Sequence, residues 1–158
     1  MAMLRVDLRD LRRGPVSTDG MLAADDPALA GLELVLLAPV QVEGRLQATD
    51  QGEFLWRADI AGRVGGDCRR CLQPVEQDIR VHADVLFSTD PDAQDDPSVY
   101  PLDASATHVD LAPAVREELT LAVPPFPLCR DDCAGLCPGC GADLNAGPCR
   151  CTAAAEPV

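Results

Sequence analysis

Six of the eight cysteines of this 158-residue chain lie in its last quarter. A short, loop-rich segment cannot bury a hydrophobic core of its own, so cross-links must hold it together. The tightest spacing is Cys137-Pro-Gly-Cys140-Gly, followed after eight residues by Cys149-Arg-Cys151. Proline and glycine suit a tight Cys-x-x-Cys turn, in which two thiolates bind one metal while backbone amides point at them. The spacing therefore predicts a metal site.

Zinc is the metal that this pattern favours. Four thiolates complete the tetrahedral shell of a structural zinc ion, and ligation can supply about 10–16 kcal/mol of folding free energy. In one arrangement the four cysteines above share an ion, while Cys129 and Cys133 meet Cys68 and Cys71. In another, a single site draws on the six C-terminal cysteines. We therefore expect one or two structural zinc ions per chain; an iron–sulfur cluster, a disulfide and unmetallated thiols are the alternatives.

The remaining two cysteines form Cys68-Arg-Arg-Cys71, between two predicted strands, where a hairpin would turn. Nearby arginines lower the pKa of a thiol, which favours metal binding and redox chemistry alike. A thioredoxin-like pair, however, follows a strand and opens a helix. The flanking strands therefore disfavour a redox pair, which is kept as the alternative function.

The charge of the chain constrains its partners. Thirteen basic and 26 acidic residues give a formal charge of −13, and each closed four-cysteine zinc site adds −2. Phosphate backbones repel such a surface, so direct RNA binding is disfavoured and a basic protein partner is expected. No run approaches the ~20 apolar residues that span a membrane, and the charged N-terminus lacks the apolar region of a secretory signal. We expect a cytoplasmic protein, where reduced cysteines favour metal ligation.

Alternating apolar and polar residues predict a β-rich core. The alternations cover residues 4–8, 40–48, 54–64 and 75–87. The last three follow one another with short turns between them, which predicts an antiparallel meander with one buried face. The polar stretch that ends at about Pro27 is predicted to be a loop.

The region after the meander reads differently. Residues 88–107 are polar, acidic and interrupted by proline, which predicts a mobile acidic loop. Asp110 is the predicted N-cap of a helix with Pro113 in its first turn. Apolar residues at helical spacing extend that helix to about Val123. The prolines that follow end the helix and hold the chain extended into the cysteine-rich segment.

No catalytic constellation stands out. His82 shares the polar face of its strand with charged residues, and His108 precedes the helix cap, so neither is expected to bind metal or act as a base. The chain has no glycine-rich phosphate loop, no Gly-x-Ser-x-Gly and no serine with a partner base. A catalytic zinc would also need an open position. We therefore predict a non-enzymatic protein without a small-molecule substrate.

Together these patterns predict an α+β fold. Its main part is an antiparallel β meander or barrel-like sheet with one packing helix, and a cysteine-rich zinc module follows at the C-terminus. The predicted division is a β-rich core over residues 1–127, a zinc-binding module over 128–151 and a disordered tail over 152–158.

The order of the motifs is itself specific. The turn Cys-Arg-Arg-Cys-Leu-Gln-Pro is followed by the acidic loop, by a helix ending in Leu121-Ala-Val-Pro, and by Gly-Leu-Cys-Pro-Gly-Cys-Gly with Leu144-Asn145. In this order the chain resembles the bacterial YceD-like family, the large ribosomal RNA subunit accumulation proteins, from about residue 3 to residue 151. The resemblance implies a role in accumulating large-subunit ribosomal RNA, hence in ribosome assembly, without a known chemical reaction.

The resemblance also bears on the zinc and on the partner. Some members of the family lack much of the C-terminal cysteine cluster, which implies that the zinc is a structural staple added to a β-rich core. Combined with the charge of −13, a role in assembly predicts association with a large-subunit ribosomal precursor through a basic ribosomal protein. The alternative function is a thiol-based redox protein that uses Cys68 and Cys71.

Overall fold

The computed structural model describes residues 4–50 and 52–151 and divides them into two compact units. The first unit is formed by the chain up to Val64 together with Asp78–Val123. The second is formed by Gly65–Gln77 together with the chain from Pro124 onward. Each unit is therefore built from two separate stretches of sequence.

This division differs from the boundary near residue 127 that the sequence suggested. The sequence predicts that the Cys68–Cys71 turn lies in the β-rich core, whereas in the structure it belongs to the unit that also holds the C-terminal cysteines. The physical reason is that cysteines from both stretches cluster together there. The predicted tail, residues 152–158, lies outside the described residues.

The described residues form nine strands and one α-helix. They are β1 (Arg5–Asp7), β2 (Val16–Ser17), β3 (Gly20–Leu22), β4 (Val35–Leu36), β5 (Val40–Asp50), β6 (Glu53–Asp67), β7 (Pro74–Ser88), β8 (Val99–Pro101), β9 (His108–Asp110) and α1 (Ala112–Ala122). Strands β1 and β9 form a small antiparallel sheet. The larger, seven-stranded sheet has the order β2-β5-β6-β7-β8, with β3 also paired to β5 and β4 to β6.

The three long strands confirm the predicted meander, since β5, β6 and β7 are neighbours in the sheet. In the antiparallel β5/β6 register, Leu46 lies opposite Trp56 and Val42 opposite Ile60, and all four side chains are buried. The barrel-like alternative is wrong, because the described strands leave the larger sheet open, with the short β2 and β8 at its ends. The fold is mostly sheet with one helix.

Two segments predicted to be loops contain strands. The stretch before Pro27 includes β2 and β3, both antiparallel to β5. The acidic segment 88–107 includes β8, which runs parallel to β7 with Val99 opposite Leu86. These strands of two or three residues are too short to show a period of two, and their pairing depends on the long strands beside them.

The helix is confirmed, with its start displaced by one position. Helix α1 begins after Leu111, which occupies the N-cap position without a side-chain bond. Asp110, the predicted cap, lies one residue earlier, and its Oδ1 accepts a hydrogen bond from Ala112 N at 3.0 Å. The helix buries Val115 and Leu119 in the core of the first unit. Within the described ranges, no helix has the length and apolar composition needed to cross a bilayer.

The core of the first unit contains a buried polar contact between Trp56 and Thr18. Trp56 and Thr18 are both fully buried, and Trp56 Nε1 donates a hydrogen bond to Thr18 Oγ1 at 2.9 Å. Gly44 permits this close approach, because a Cβ there would lie 2.9 Å from that oxygen and 2.6 Å from Ala58 Cβ. The indole therefore has its hydrogen-bond partner within the apolar core.

Replacing Thr18 by valine keeps the shape of the side chain and leaves the indole N–H without its acceptor. We expect Thr18→Val to lower the free energy of unfolding by about 1–3 kcal/mol. Urea unfolding followed by the fluorescence of Trp56, the only tryptophan, measures this. The control is Thr120→Val on an exposed position of α1, where a change within about 0.5 kcal/mol is expected. Equal losses in both variants would contradict the role given to Thr18.

Candidate metal centres

The structure gathers seven of the eight predicted ligands into two cysteine clusters, both in the second unit. Cluster 1 consists of Cys68, Cys71, Cys129 and Cys133, and cluster 2 of Cys137, Cys140 and Cys149. Within each cluster all Sγ atoms lie within 4.8 Å of one another. Of the arrangements that the sequence left open, this is the one in which the Cys68–Cys71 turn meets the first two cysteines of the C-terminal segment. Cys151, predicted to join cluster 2, lies outside that distance limit and is half-buried.

The separations between sulfurs fit a tetrahedral metal site. The Sγ–Sγ distances are 3.7 Å for Cys68 and Cys133, 3.6 Å for Cys71 and Cys129, and 3.4 Å for Cys137 and Cys149. A metal held at about 2.3 Å by four thiolates places neighbouring sulfurs about 3.8 Å apart. All eight cysteines are free thiols. Each cluster could therefore hold a metal ion.

The Cys68–Cys71 turn directs backbone amides at its first sulfur. Cys68 N donates to Gln73 O at 2.8 Å and Leu72 N donates to Cys68 O at 2.9 Å, which closes the turn. Inside it, Cys71 N donates to Cys68 Sγ at 3.5 Å. This amide is the largest cause that lowers the pKa of Cys68 to about 6. The sulfur of Cys68 is therefore mostly thiolate at pH 7.

The Cys137–Cys140 turn repeats this construction. Cys137 N donates to Ala142 O at 2.8 Å and Gly141 N donates to Cys137 O at 2.8 Å. Gly139 N donates to Cys137 Sγ at 3.4 Å. The pKa of Cys137 is lowered to about 6, most strongly by the backbone amide of Cys140 and next by that of Gly139. Each cluster thus offers an ionised sulfur to an incoming cation.

The two turns differ at the residue after the second cysteine. Both residues there have a left-handed backbone, with φ 76° at Gly141 and φ 64° at Leu72. Leu72 is the only non-glycine residue with positive φ among the described residues. Glycine adopts this conformation without steric cost, whereas leucine does so at a cost of roughly 1–2 kcal/mol. The sequence signal of the first turn is therefore weaker than that of the second.

Asn145 is a functional candidate that the sequence did not single out for any role. It lies in the 3₁₀ turn Leu144–Ala146, between the cysteines of cluster 2, and is the only asparagine in the chain. Its Nδ2 donates to Cys133 Sγ of cluster 1 at 3.3 Å, and this bond is the largest cause that lowers the pKa of Cys133. Its Oδ1 accepts from Ala134 N at 2.8 Å and from Arg130 Nη2 at 2.6 Å. The sequence signal that could have pointed to Asn145 is that it is the single carboxamide side chain within the cysteine-rich segment.

The two histidines belong to neither cluster. His82 lies on the exposed face of the larger sheet, where its Nδ1 is 2.9 Å from Asp59 Oδ1, and this carboxylate raises the pKa of the imidazole. His108 lies in β9 with its Nε2 3.7 Å from Asp7 Oδ2. Cysteine sulfur is therefore the donor type in both candidate metal centres.

Comparisons with known proteins show that the residues of both clusters lie in the region matched by one family model. The model of the family described as large ribosomal RNA subunit accumulation protein YceD matches residues 56–157. Uncharacterized proteins of Mycobacterium bovis and Mycobacterium tuberculosis are each 32% identical over 130 residues, covering 77% of this chain and 61% of the relative. An uncharacterized protein of Mycobacterium leprae is 29% identical over 132 residues, covering 77% and 59%.

The chain thus spans about three-fifths of the length of the curated relatives that it matches. No solved structure matches it.

Substituting the residue that follows the second cysteine of each Cys-x-x-Cys turn tests whether its left-handed backbone governs the stability of the turn. We expect Leu72→Gly to stabilise its turn by about 0.5–1 kcal/mol, because the left-handed strain disappears and a mostly exposed side chain is lost. Gly141→Leu should destabilise the other turn by about 1 kcal/mol through the backbone alone, since a Cβ there meets nothing within 4 Å.

Hydrogen exchange in the reduced protein measures both effects. The Cys68 amide should exchange about two- to fivefold more slowly in Leu72→Gly, and the Cys137 amide about fivefold faster in Gly141→Leu. Unchanged exchange of both amides would show that the residue after the second cysteine does not govern the turn.

Proposed function

Because the chain belongs to the YceD family of large ribosomal RNA subunit accumulation proteins, we propose that it is a non-enzymatic factor that supports the accumulation of large-subunit ribosomal RNA. It would act in the cytoplasm on a large-subunit ribosomal precursor, reached through a basic ribosomal or assembly protein. The observation that carries the proposal is the family match over residues 56–157, which contains the whole of β7 and all eight cysteines.

The distribution of charge supports a basic protein partner. The first unit contains 20 of the 26 acidic residues and nine of the 13 arginines, a balance of −11, which leaves −2 for the second unit. On the exposed face of the larger sheet, acids meet bases: Arg57 Nε lies 3.0 Å from Asp84 Oδ1, and His82 lies beside Asp59. The excess of negative charge therefore lies elsewhere in this unit. Residues 88–107 hold five aspartates and no arginine or lysine.

Hydrogen bonds lower the pKa of two carboxyl groups, Asp96 and Asp103, in this acidic segment of residues 88–107. Asp96 Oδ1 accepts hydrogen bonds from Ser98 Oγ at 2.6 Å and from Ser98 N at 2.9 Å. Asp103 Oδ1 accepts equivalent bonds from Ser105. In each case the serine side chain is the largest cause that lowers the pKa of the carboxyl, with the serine amide second. The segment thus offers the carboxylates of Asp96 and Asp103 to arginine or lysine side chains of a partner.

We also propose that both clusters hold structural zinc. Four thiolates with no histidine and no open position are typical of sites in which zinc cross-links the chain and performs no chemistry on a substrate. Cluster 1 already supplies four sulfurs. Cys151, two residues beyond Cys149, would be the fourth ligand of cluster 2. The zinc would then add to the folding free energy of a unit whose buried cluster consists of Cys68, Cys71 and Cys133.

The alternative, a redox pair of Cys68 and Cys71, is less well supported. A reactive pair is solvent-accessible, but Cys68 and Cys71 are 0% and 2% exposed. Each sulfur also has a close neighbour from the C-terminal segment, Cys133 for Cys68 and Cys129 for Cys71. A shared metal accounts for this geometry, because it needs all four sulfurs at once.

Metal content separates the two functions. We expect the anaerobically purified full-length protein to contain two zinc ions per chain, measured by mass spectrometry of the elements together with a free-thiol count. Cys71→Ser, Cys140→Ser and Cys151→Ser should each lose one ion, since each removes one of four ligands. Ser17→Ala, on an exposed strand, should retain both. A metal-free protein with a readily oxidised Cys68/Cys71 pair would favour the redox function instead.

Sedimentation tests the ribosomal role. In a sucrose gradient of lysate containing the tagged protein, the tag should migrate with precursors of the large subunit and not with mature ribosomes. Replacing the five aspartates of the acidic segment by asparagine should shift the tag to the top of the gradient, because the contact with a basic partner is lost. Those residues are Asp90, Asp92, Asp95, Asp96 and Asp103.

The control for this variant combines Arg57→Gln with Asp84→Asn, which removes an exposed ion pair and leaves the net charge unchanged. Its tag should remain with the precursors. A wild-type tag that stays at the top at low salt would contradict stable association. Salt-dependent binding of bare ribosomal RNA by the purified protein would contradict the route through a basic protein.

A further inference from the structure

Asn145 lies between the two clusters in a way that links them. Its backbone belongs to the loop that joins Cys140 to Cys149, both members of cluster 2. Its side chain donates to Cys133 Sγ, a member of cluster 1. The position of Asn145 is therefore set by the loop of cluster 2, while its side chain contacts a sulfur of cluster 1.

Further hydrogen bonds hold the Asn145 turn in place. Asn145 N donates to Asp143 Oδ1 at 2.9 Å, which caps the short 3₁₀ turn. Leu144 N donates to Gly135 O at 2.9 Å, and Asp143 forms an isolated antiparallel bridge with Leu136. The turn thus lies against the residues that connect Cys133 to Cys137. A change in the position of the loop moves the carboxamide relative to Cys133.

The side chain at this position must donate and accept at the same time. Oδ1 accepts from Ala134 N and Arg130 Nη2, while Nδ2 donates to the sulfur. An aspartate has the same shape and could keep both acceptor bonds, but it offers the thiolate a second negative charge in place of a donor. Of the two groups of this carboxamide, the donor therefore faces the Cys133 sulfur and the acceptor faces the backbone and Arg130.

We propose that Asn145 is a positioning residue that couples the filling of the two clusters, an inference that rests on the zinc assignment above. An ion in cluster 2 fixes both ends of the loop between Cys140 and Cys149. The fixed loop then holds the carboxamide against Cys133, which stabilises the thiolate as a ligand in cluster 1. By linkage, an ion in cluster 1 strengthens binding in cluster 2 by the same factor.

The first test compares zinc affinities of the reduced full-length protein by competition with a chromophoric chelator. Asn145→Asp should weaken one of the two sites about tenfold to a hundredfold, the usual effect of losing a partner of a ligand. Asn145→Ala, which adds no charge, should weaken the same site, and the sulfur-to-cobalt charge-transfer band of the Co²⁺ form should shift. The control is Gln77→Glu, the same amide-to-carboxylate change on β7 in the second unit, outside both Cys-x-x-Cys turns; less than a twofold change is expected.

The second test isolates the coupling with variants that leave one cluster intact. In Cys140→Ser, the remaining site is cluster 1, and its affinity should be about tenfold lower than in the wild type. Adding Asn145→Asp there should change it less than twofold, because the loop that carries the carboxamide is then no longer fixed at both ends by an ion. In Cys71→Ser, where cluster 2 remains, Asn145→Asp should also have less than a twofold effect. The double-variant cycle therefore measures the link itself.

Each contrary result overturns the proposal in a distinct way. Unchanged affinity in Asn145→Asp removes the positioning role. A full effect of Asn145→Asp in the Cys140→Ser protein makes the contact local and removes the coupling. A wild-type protein that binds no zinc removes the metal assignment and this inference together, while the ribosomal role stands or falls by sedimentation. Unchanged fluorescence of Trp56 in every variant verifies that the first unit is folded.

Discussion

The convergence of cysteine sulfurs from two distant stretches of chain is the constraint on which the second unit depends. Its buried cluster consists of Cys68, Cys71 and Cys133, with only a few partly buried aliphatic side chains around them. So little apolar surface cannot offset the entropy of ordering the surrounding loops. The fold of this unit is therefore determined by what holds the sulfurs together. The first unit, by contrast, is stabilised by an aliphatic core around Trp56.

The sheet shows how a strongly acidic chain arranges its charges. In the register of β5 and β6 the facing pairs on the exposed side are Glu43–Asp59 and Arg45–Arg57. Like charges directly opposite each other destabilise a sheet. Strand β7 offsets this arrangement, because His82 lies beside Asp59 and Asp84 lies beside Arg57. Charges of this face are thus paired within the sheet, whereas the acidic segment of residues 88–107 contains no basic side chain to pair with its aspartates.

Long strands could be predicted from the sequence because the alternation of apolar and polar residues continues over many positions. Strands β5, β6 and β7 have 11 to 15 residues, and their alternation is sufficient to identify them. Strands β2 and β8 have two or three residues and exist only as partners of longer strands. The spacing of cysteines likewise predicted a candidate metal site but left the grouping open, since Cys71 and Cys129 are 58 residues apart in sequence and meet only in the folded chain. The contact of Asn145 with Cys133 also becomes visible only in the folded chain.

The position of cluster 1 in the sequence has a consequence for chain entropy. A metal shared by Cys71 and Cys129 would close a loop of 58 residues that contains β7, β8, β9 and helix α1. By the arithmetic applied to disulfides, closing a loop of this size restricts the unfolded chain by about 4 kcal/mol. That restriction acts on segments of the first unit that supply no ligand to the metal. The ion would thus make unfolding less favourable for strands and a helix that take no part in binding it.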